Sequence, residues 1–136
     1  SILMRSRGLA LEQEIAVTIC PIQNNQCSQS WSNPITAFSD SNNNQTLDTG
    51  EQIFFSTQMS LSTGYWQKKR VNSPYIKFSP QGHAFSTSTT FLYCPYSEKT
   101  KLAKQLVINF QGRIRINHYL SPNGVPYPGV APLACG

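Results

Sequence analysis

The sequence predicts an α+β fold in which one N-terminal helix is followed by six or seven β-strands. Three observations lead to this prediction: a helical pattern at the start, β-branched and aromatic segments after it, and few charged residues. Only 12% of residues are charged, against about a quarter in typical globular domains. Asn, Gln, Ser and Thr take the polar share, which favours a β-rich protein outside the cytosol. A length of 136 residues fits a single domain.

The helix is predicted over residues 1–14, as the end of an amphipathic helix. Met4, Gly8, Leu11 and Ile15 recur at i, i+4, i+7 and i+11 and form one stripe, which in globular proteins faces the core. The chain opens at Ser1, without Met, inside this pattern, so we expect it to begin within a longer protein. It contains no stretch of 18 apolar residues, and no transmembrane helix is predicted within it.

The β-rich part is predicted to span residues 15–120. A polar loop covers residues 39–51, a second loop holds Lys68, Lys69 and Arg70, and Gln111-Gly112 suits a two-residue hairpin turn. The tail, residues 121–136, is rich in Pro and Gly and is not expected to be regular. Strands are predicted at residues 15–20, 52–60, 75–78, 86–94, 105–110 and 113–119, with a short apolar segment at 35–38.

Four cysteines indicate two disulfides and therefore an oxidising compartment. No CxxC pair is present, so a zinc site is not expected. Three pairings are possible. We favour Cys20–Cys27, because the two residues flank a short polar turn, and Cys94–Cys135, which would hold the C-terminal tail.

An ordered set of segments resembles a known family. A helix leads into Val-Thr-Ile-Cys-Pro (17–21), a second cysteine and Trp31. Phe-Ser-Asp-Ser-Asn-Asn-Asn (38–44), Asp-Thr-Gly-Glu (48–51), Phe-Ser-Pro-Gln-Gly (78–82), Phe-Leu-Tyr-Cys (91–94) and Val-Ile-Asn-Phe-Gln-Gly-Arg (107–113) follow. This order resembles the FimT/GspH group of type IV minor pilins and type II secretion pseudopilins over nearly the whole chain.

The resemblance implies a pilin fold, with a helix packed against antiparallel sheets. It also implies a preceding hydrophobic helix, absent here, that anchors the subunit in the inner membrane and later in the pilus core. The expected locations are the inner membrane, the periplasm and the extracellular pilus, with other pilins as partners. Gly112, Arg113 and Arg115 resemble the GRxR signature of FimT-type pilins, which are implicated in binding DNA during natural transformation. Related subunits serve in pilus or pseudopilus assembly, and this alternative stays open.

The same segment points to DNA without reference to a family. Strand alternation would place Arg113 and Arg115 on one face and Ile114 and Ile116 on the other, facing the core. Two guanidinium forks about 6.5–7 Å apart match neighbouring phosphates and can bind their oxygens in pairs. Gly112 would permit the turn and a close backbone approach. The alternative is an edge strand whose arginines face solvent and discourage aggregation.

The charge distribution supports a polyanionic partner. Residues 1–51 hold two arginines and five carboxylates, a net charge of −3, whereas residues 52–136 hold nine basic residues and one acid, a net charge of +8. No base-reading element is present, so binding to double-stranded DNA would be weak, independent of sequence and dependent on salt. Further candidate DNA-binding residues are Lys99, Lys101, Lys104 and His118, with Lys68, Lys69 and Arg70 as a second cluster.

Two other site types were weighed. Asp40, Asn42, Asn44, Thr46, Asp48 and Glu51 match most ligand positions of a calcium loop. However, Gln45 stands where a glycine is expected and no helices flank the loop, so a polar turn with local Asp and Asn caps is the alternative. Neither histidine is paired with a nucleophile in a recognisable pattern. We therefore predict no catalytic residues, no metal and no cofactor.

Overall fold

One helix and nine strands make up the part of the chain that the structure describes. The structure is a computed structural model that describes residues 1–69, 75–84, 89–96 and 104–118, with only the backbone for Lys69, Asn117 and His118. The elements are α1 (Ile2–Gln13), β1 (Val17–Gln23), β2 (Gln26–Cys27), β3 (Ile35–Ser39), β4 (Ile53–Thr57), β5 (Gly64–Lys69), β6 (Ile76–Phe78), β7 (Thr89–Pro95), β8 (Lys104–Ile108) and β9 (Ile114–His118).

The strands form two antiparallel sheets. The first has the order β2-β1-β3-β4, with β6 also paired to β1, and the second has the order β5-β7-β8-β9. The helix packs against β1, β4 and β6 of the first sheet. The ring of Trp31, in the loop before β3, packs against that of Phe91 in β7 with centroids 5.9 Å apart. The predicted α+β class and the packing of the helix on antiparallel sheets are confirmed.

Helix α1 is fixed at both ends by local hydrogen bonds. The Ser1 side chain accepts from the Met4 amide at the N-terminus. At the C-terminus Glu14 adopts a left-handed conformation (φ 55°) and its amide bonds back to Ala10. No helix among the described residues is both long and apolar enough to cross a membrane.

The face of α1 that meets the core differs from the predicted stripe. Leu3, Ser6 and Ala10 are buried, whereas Met4 and Leu11 are 44% and 42% exposed. Small residues at the contact let the helix lie close to the sheet. The Ser6 hydroxyl donates to the Ile2 carbonyl at 2.6 Å, so its polarity is satisfied inside the helix. A prediction from the spacing of apolar residues misses this buried position, because serine is not counted as apolar.

The first hairpin is tighter than predicted. Strand β1 continues through Pro21 to Gln23, and the turn consists of Asn24 and Asn25 alone, both with positive φ (53° and 61°). That geometry suits asparagine and matches the twist of a hairpin. The Cys20–Cys27 disulfide closes the hairpin, as predicted. Cys94 is also disulfide-bonded; its predicted partner, Cys135, lies outside the described residues, as does the tail at 121–136.

A buried ion pair joins the first sheet to the loop after β3. Asp40 is fully buried and Lys77 of β6 is 2% exposed, with Nζ 3.7 Å from Oδ2. Oδ2 also accepts from the Thr18 hydroxyl (2.9 Å) and the Gln45 amide (3.0 Å), and Oδ1 accepts from the Asn44 amide (3.2 Å). Lys77 donates further to Asn43 Oδ1. Burial lowers the pKa of Lys77, and the Asp40 charge opposes that shift.

A second junction joins α1 to both sheets through two glycines. Arg7 Nε donates to the Gly82 carbonyl at 2.9 Å, and the Ala84 amide bonds to the Phe110 carbonyl at 3.0 Å. A Cβ on Gly112 would overlap the Gly82 carbonyl oxygen and lie 2.9 Å from Arg7 Nε. We call this contact of Arg7, Gly82 and Gly112 the glycine clasp. It leaves no room for a side chain at position 112.

The buried ion pair gives a first stability prediction. Asp40→Asn leaves the Lys77 ammonium buried without its counter-charge, and we expect a loss of about 3–5 kcal/mol in the free energy of unfolding. Replacing both partners, as Asp40→Asn/Lys77→Met, should recover much of that loss. Asp48→Asn, in the same loop, is the control and should change stability little. Urea denaturation measures all three; a loss below about 1 kcal/mol for Asp40→Asn would contradict the prediction.

The clasp gives a second prediction, with Gly50 as a matched control. Both glycines have positive φ, +83° for Gly112 and +92° for Gly50, but a Cβ on Gly50 would meet nothing within 4 Å. Gly50→Ala should cost about 1–2 kcal/mol, for the conformation alone. Gly112→Ala should cost clearly more, because backbone must move. Equal denaturation midpoints for the two variants would show that the close approach of Gly112 to Gly82 adds nothing to the loss of stability.

Candidate nucleic-acid interface

The candidate site is built on the turn between β8 and β9. The Asn109 amide donates to the Arg113 carbonyl (3.1 Å), and the Gly112 amide donates to the Asn109 carbonyl (3.0 Å). The Asn109 side-chain oxygen accepts from the amides of Gln111 (3.1 Å) and Arg113 (2.9 Å). The turn is therefore longer than the predicted Gln111-Gly112 pair, and Arg113 belongs to it. The tendency of asparagine to cap nearby backbone could have indicated Asn109.

The register of β9 shows which side chains face outward. Ile114 pairs with Ile108 and Arg115 pairs with Val107. Ile114 packs against the core, and Arg113 and Arg115 are both exposed. The prediction that Ile116 also packs into the core is wrong, because it is 49% exposed. Among the residues that the structure describes, β9 is the edge of its sheet and has β8 as its one neighbouring strand.

Neither arginine of this edge has an acidic partner among the described residues. The ion pair between Lys77 and Asp40 is the one found in that part of the chain. Further into the sheet, on the face that carries Arg115, Leu92 is fully buried. On the same face Val107 of β8 and Thr90 of β7, which are in line with Arg115, are half-buried, so exposure falls from β9 toward β7. Two exposed guanidiniums, two residues apart along an edge, can each bind an anionic oxygen pair.

Lys104, the one predicted lysine of this region that the structure describes, does not share the face of Arg115. Lys104 is exposed at the start of β8, but it is three residues from Val107, the partner of Arg115. Because side chains alternate along a strand, Lys104 lies on the opposite face from Arg115. His118 pairs with Lys104 through the backbone, and its side chain is not described. Lys99 and Lys101 lie outside the described residues.

The second predicted basic cluster lies at the other edge of the same sheet. Lys68 and Lys69 belong to strand β5, so the predicted loop is wrong at these positions; Arg70 lies outside the described residues. The aromatic pair before the lysines fits a strand that pairs with β7 along its whole length. Strands β5 and β9 are three strand spacings apart, about 14 Å, so the two clusters are not brought together.

Lys68 has an environment unlike that of a solvated lysine. Its Nζ lies 4.5 Å from the centroid of the Trp31 ring, a cation–π geometry. Burial lowers the pKa of Lys68 to about 8, so a large share of its charge is lost just above neutral pH. A guanidinium keeps its charge throughout that range. Lys68 is for this reason a poorer phosphate ligand than either exposed arginine.

The loop proposed as a calcium site is held by its own side chains. The Asp40 carboxylate is engaged by Lys77, Thr18 and backbone amides, as described above. Asp48 Oδ2 accepts from the side-chain Nδ2 groups of Asn42 and Asn44, both at 2.8 Å, and these bonds lower the pKa of Asp48. Within the described ranges no group of three or more His, Cys, Asp or Glu side chains could hold a metal ion. The contacts are those of a self-capped polar loop.

One functional candidate escaped the sequence analysis. From the sequence, Arg7 is only one of the two arginines in the net charge of residues 1–51. In the structure its guanidinium donates to the Gly82 carbonyl, 75 positions away in the sequence, and so lies beside Gly112, the residue before Arg113. No pattern along the chain indicates a contact of that kind, because the 79–83 turn that joins the two is placed only by the sheet topology.

Known structures share this fold. Two crystal structures of the type IV minor pilin FimU from Pseudomonas aeruginosa are similar, with TM-scores of 0.58 and 0.57 and 20% sequence identity in each case. The match covers 85% of this chain in both, and 80% and 84% of the FimU chains. A search of curated protein sequences finds no match.

The sequence also matches a protein-family model. The model describes the type II transport protein GspH, and residues 1–112 match it. That range includes the helix, the first sheet, strands β5 to β8 and the turn up to Gly112. Together with the fold, this match shows that the chain belongs to the GspH family of type II transport proteins, the family of minor pilins and pseudopilins.

Proposed function

We propose that this chain is a minor pilin that holds DNA on a type IV pilus by its phosphate backbone, for uptake in natural transformation. The observation that carries the proposal is the exposed Arg113 and Arg115 pair at the open edge of β9, without an acidic partner among the described residues. Membership of the GspH family and the FimU-like fold support the pilin part of the proposal.

The mechanism needs no chemical step. Each guanidinium fork would donate to two oxygens of one phosphate, and the two forks are carried by residues two positions apart, whose Cα atoms are at most about 7 Å from each other. Contacts limited to phosphates carry no sequence information, so any DNA would serve. A few such contacts give weak binding, roughly micromolar or weaker at physiological salt. Several pilins on one fibre would raise the overall affinity.

The cellular setting follows from the family. A minor pilin or pseudopilin works in the cell envelope, in contact with other pilins. We infer that the full-length protein is held in the inner membrane by a hydrophobic helix preceding Ser1 and then moves into the pilus. In that position retraction of the fibre would bring bound DNA to the cell, so the subunit itself would act as a binding module and not as an enzyme.

A second candidate function is a structural role in the tip complex that primes pilus or pseudopilus assembly. The exposed side of α1 favours it. Met4, Gly8 and Leu11 lie along one side of the helix and are exposed, and a Cβ on Gly8 would meet nothing within 4 Å. An apolar, shallow helix face suits contact with another subunit. In this role the basic edge would meet acidic partner pilins.

The DNA proposal is tested by titrating the labelled domain with a short duplex of random sequence, followed by NMR over a range of salt concentrations. We expect shifts concentrated at residues 109–118. Arg113→Gln/Arg115→Gln should lower the slope of log affinity against log salt by about 1.8, since each phosphate contact contributes about 0.9. Lys104→Gln is the matched control: it removes a nearby charge from the opposite face and should leave those shifts in place.

Two outcomes would overturn the proposal. One is a folded wild-type domain that shows no shifts at low salt. The other is a Lys104→Gln variant that weakens binding as much as Arg115→Gln does, which would indicate general attraction rather than a site on β9.

The two candidate functions predict different phenotypes in cells. In a competent strain that depends on this protein, Arg113→Gln/Arg115→Gln should abolish transformation while piliation and twitching stay normal, because the arginines are assigned to DNA and not to assembly. Counts of transformants and of surface pili measure the two effects. Loss of pili in this variant would favour the assembly function instead.

A further inference from the structure

Arg7 brings a third guanidinium to the hairpin that carries Arg113. Its Nε donates to the Gly82 carbonyl at 2.9 Å and lies 2.9 Å from the position that a Cβ on Gly112 would occupy. Arg113 is the next residue. With successive Cα atoms 3.8 Å apart, the Cα of Arg113 lies within about 8 Å of Arg7 Nε. The Arg7 guanidinium therefore lies beside the backbone of the turn that carries Arg113.

Most of the N–H donors of Arg7 are not used by the residues that the structure describes. An arginine has five N–H donors, and the bond to Gly82 uses the one on Nε. No hydrogen bond to either Nη is formed by the residues that the structure describes, and no carboxylate there lies within ion-pair distance. The side chain is partly exposed. The Gly82 bond fixes the fork on the protein while four donors stay available for a ligand.

Arg5 shows that this arrangement is particular to Arg7. Arg5 lies on the same helix, and its guanidinium carbon is 3.9 Å from the centroid of the Phe55 ring. Phe55 belongs to β4 of the first sheet, so this charge is stacked on an aromatic face in the other sheet from the hairpin. Two arginines two positions apart thus have different environments: one packs against a ring, and the other reaches the 109–113 turn.

Three like charges close together repel one another unless an anion binds between them. No acidic side chain among the described residues balances Arg7, Arg113 or Arg115. A phosphodiester would reduce this repulsion and supply acceptors for the unused N–H groups. We propose that Arg7 is a third phosphate-binding residue of the site on β9, so that the DNA backbone runs from the edge strand onto helix α1. This inference rests on the proposed function.

The proposal is tested by comparing Arg7→Gln with Arg5→Gln in DNA titrations of the domain over a range of salt concentrations. The two variants remove the same charge from the same helix. We expect Arg7→Gln to lower the salt slope by about 0.9, the value for one phosphate contact, and Arg5→Gln to leave it unchanged. Arg7→Lys keeps a charge at the site and should restore most of the slope, although it loses the bond to Gly82.

A direct readout covers the case in which Arg7→Gln disturbs the fold. In the wild-type domain, the Nε–Hε resonance of Arg7 should shift on adding duplex DNA together with those of Arg113 and Arg115, while that of Arg5 stays in place. Arg7→Gln could instead only displace the hairpin. The variant's amide resonances at residues 109–113 would then differ from wild type without DNA, while the slope of log affinity against log salt stays the same. That result would overturn the inference.

Different results would contradict the proposed function and the role of Arg7. A wild-type domain that binds no DNA removes both the function and the role of Arg7. Binding that depends on Arg113 and Arg115, with equal slopes in Arg7→Gln and Arg5→Gln and a stationary Arg7 resonance, removes only the role of Arg7.

Discussion

The contact between the backbones of Gly82 and Gly112 positions the hairpin of the proposed DNA site against helix α1. Gly82 and Gly112 approach so closely that no side chain fits between them, and Arg7 bonds to the same carbonyl. The constraint holds one end of the second sheet against the helix and against the turn after β6. Two other contacts hold the same hairpin: the Ala84 amide donates to the Phe110 carbonyl, and Ile114 packs against the core. Gly112 is therefore packed against the protein's own backbone, and in the proposed DNA site only the arginine side chains would be left to contact phosphates.

The sequence predicted the architecture more reliably than the faces of its elements. The helix, most of the strands, the Cys20–Cys27 bond and the α+β class are visible in patterns because local preferences and burial agree there. The helix face was assigned wrongly because Ser6 and Ala10 meet the core through small size, whereas Met4 and Leu11 stay outside. Strand β5 was missed because Lys68 and Lys69 were taken as a loop, although pairing with β7 supports them.

The residues proposed for the site are visible in the sequence, but their surroundings are not. Arg113 and Arg115 are two positions apart in one hairpin, although Arg113 belongs to the turn and only Arg115 to β9. Whether Lys104 joins them depends on register, and the register puts it on the opposite face. Arg7 depends on a contact between distant segments. The calcium alternative shows the same limit, since the sequence presents Asp40 as a possible ligand and only the fold supplies the buried lysine that neutralises it.

The glycine clasp also has a mechanical consequence. In the proposed role, a fibre pulls on helix α1 while DNA pulls on the edge of β9. Tension between these points can pass from α1 to the β8–β9 turn through Arg7 and Gly82, across a few ångströms, instead of along the whole succession of strands. The Cys20–Cys27 bond joins residues only seven positions apart and lies off this route. Resistance to stretching would then depend on backbone packing between two turns, and the covalent cross-link of the first hairpin would carry little of the load.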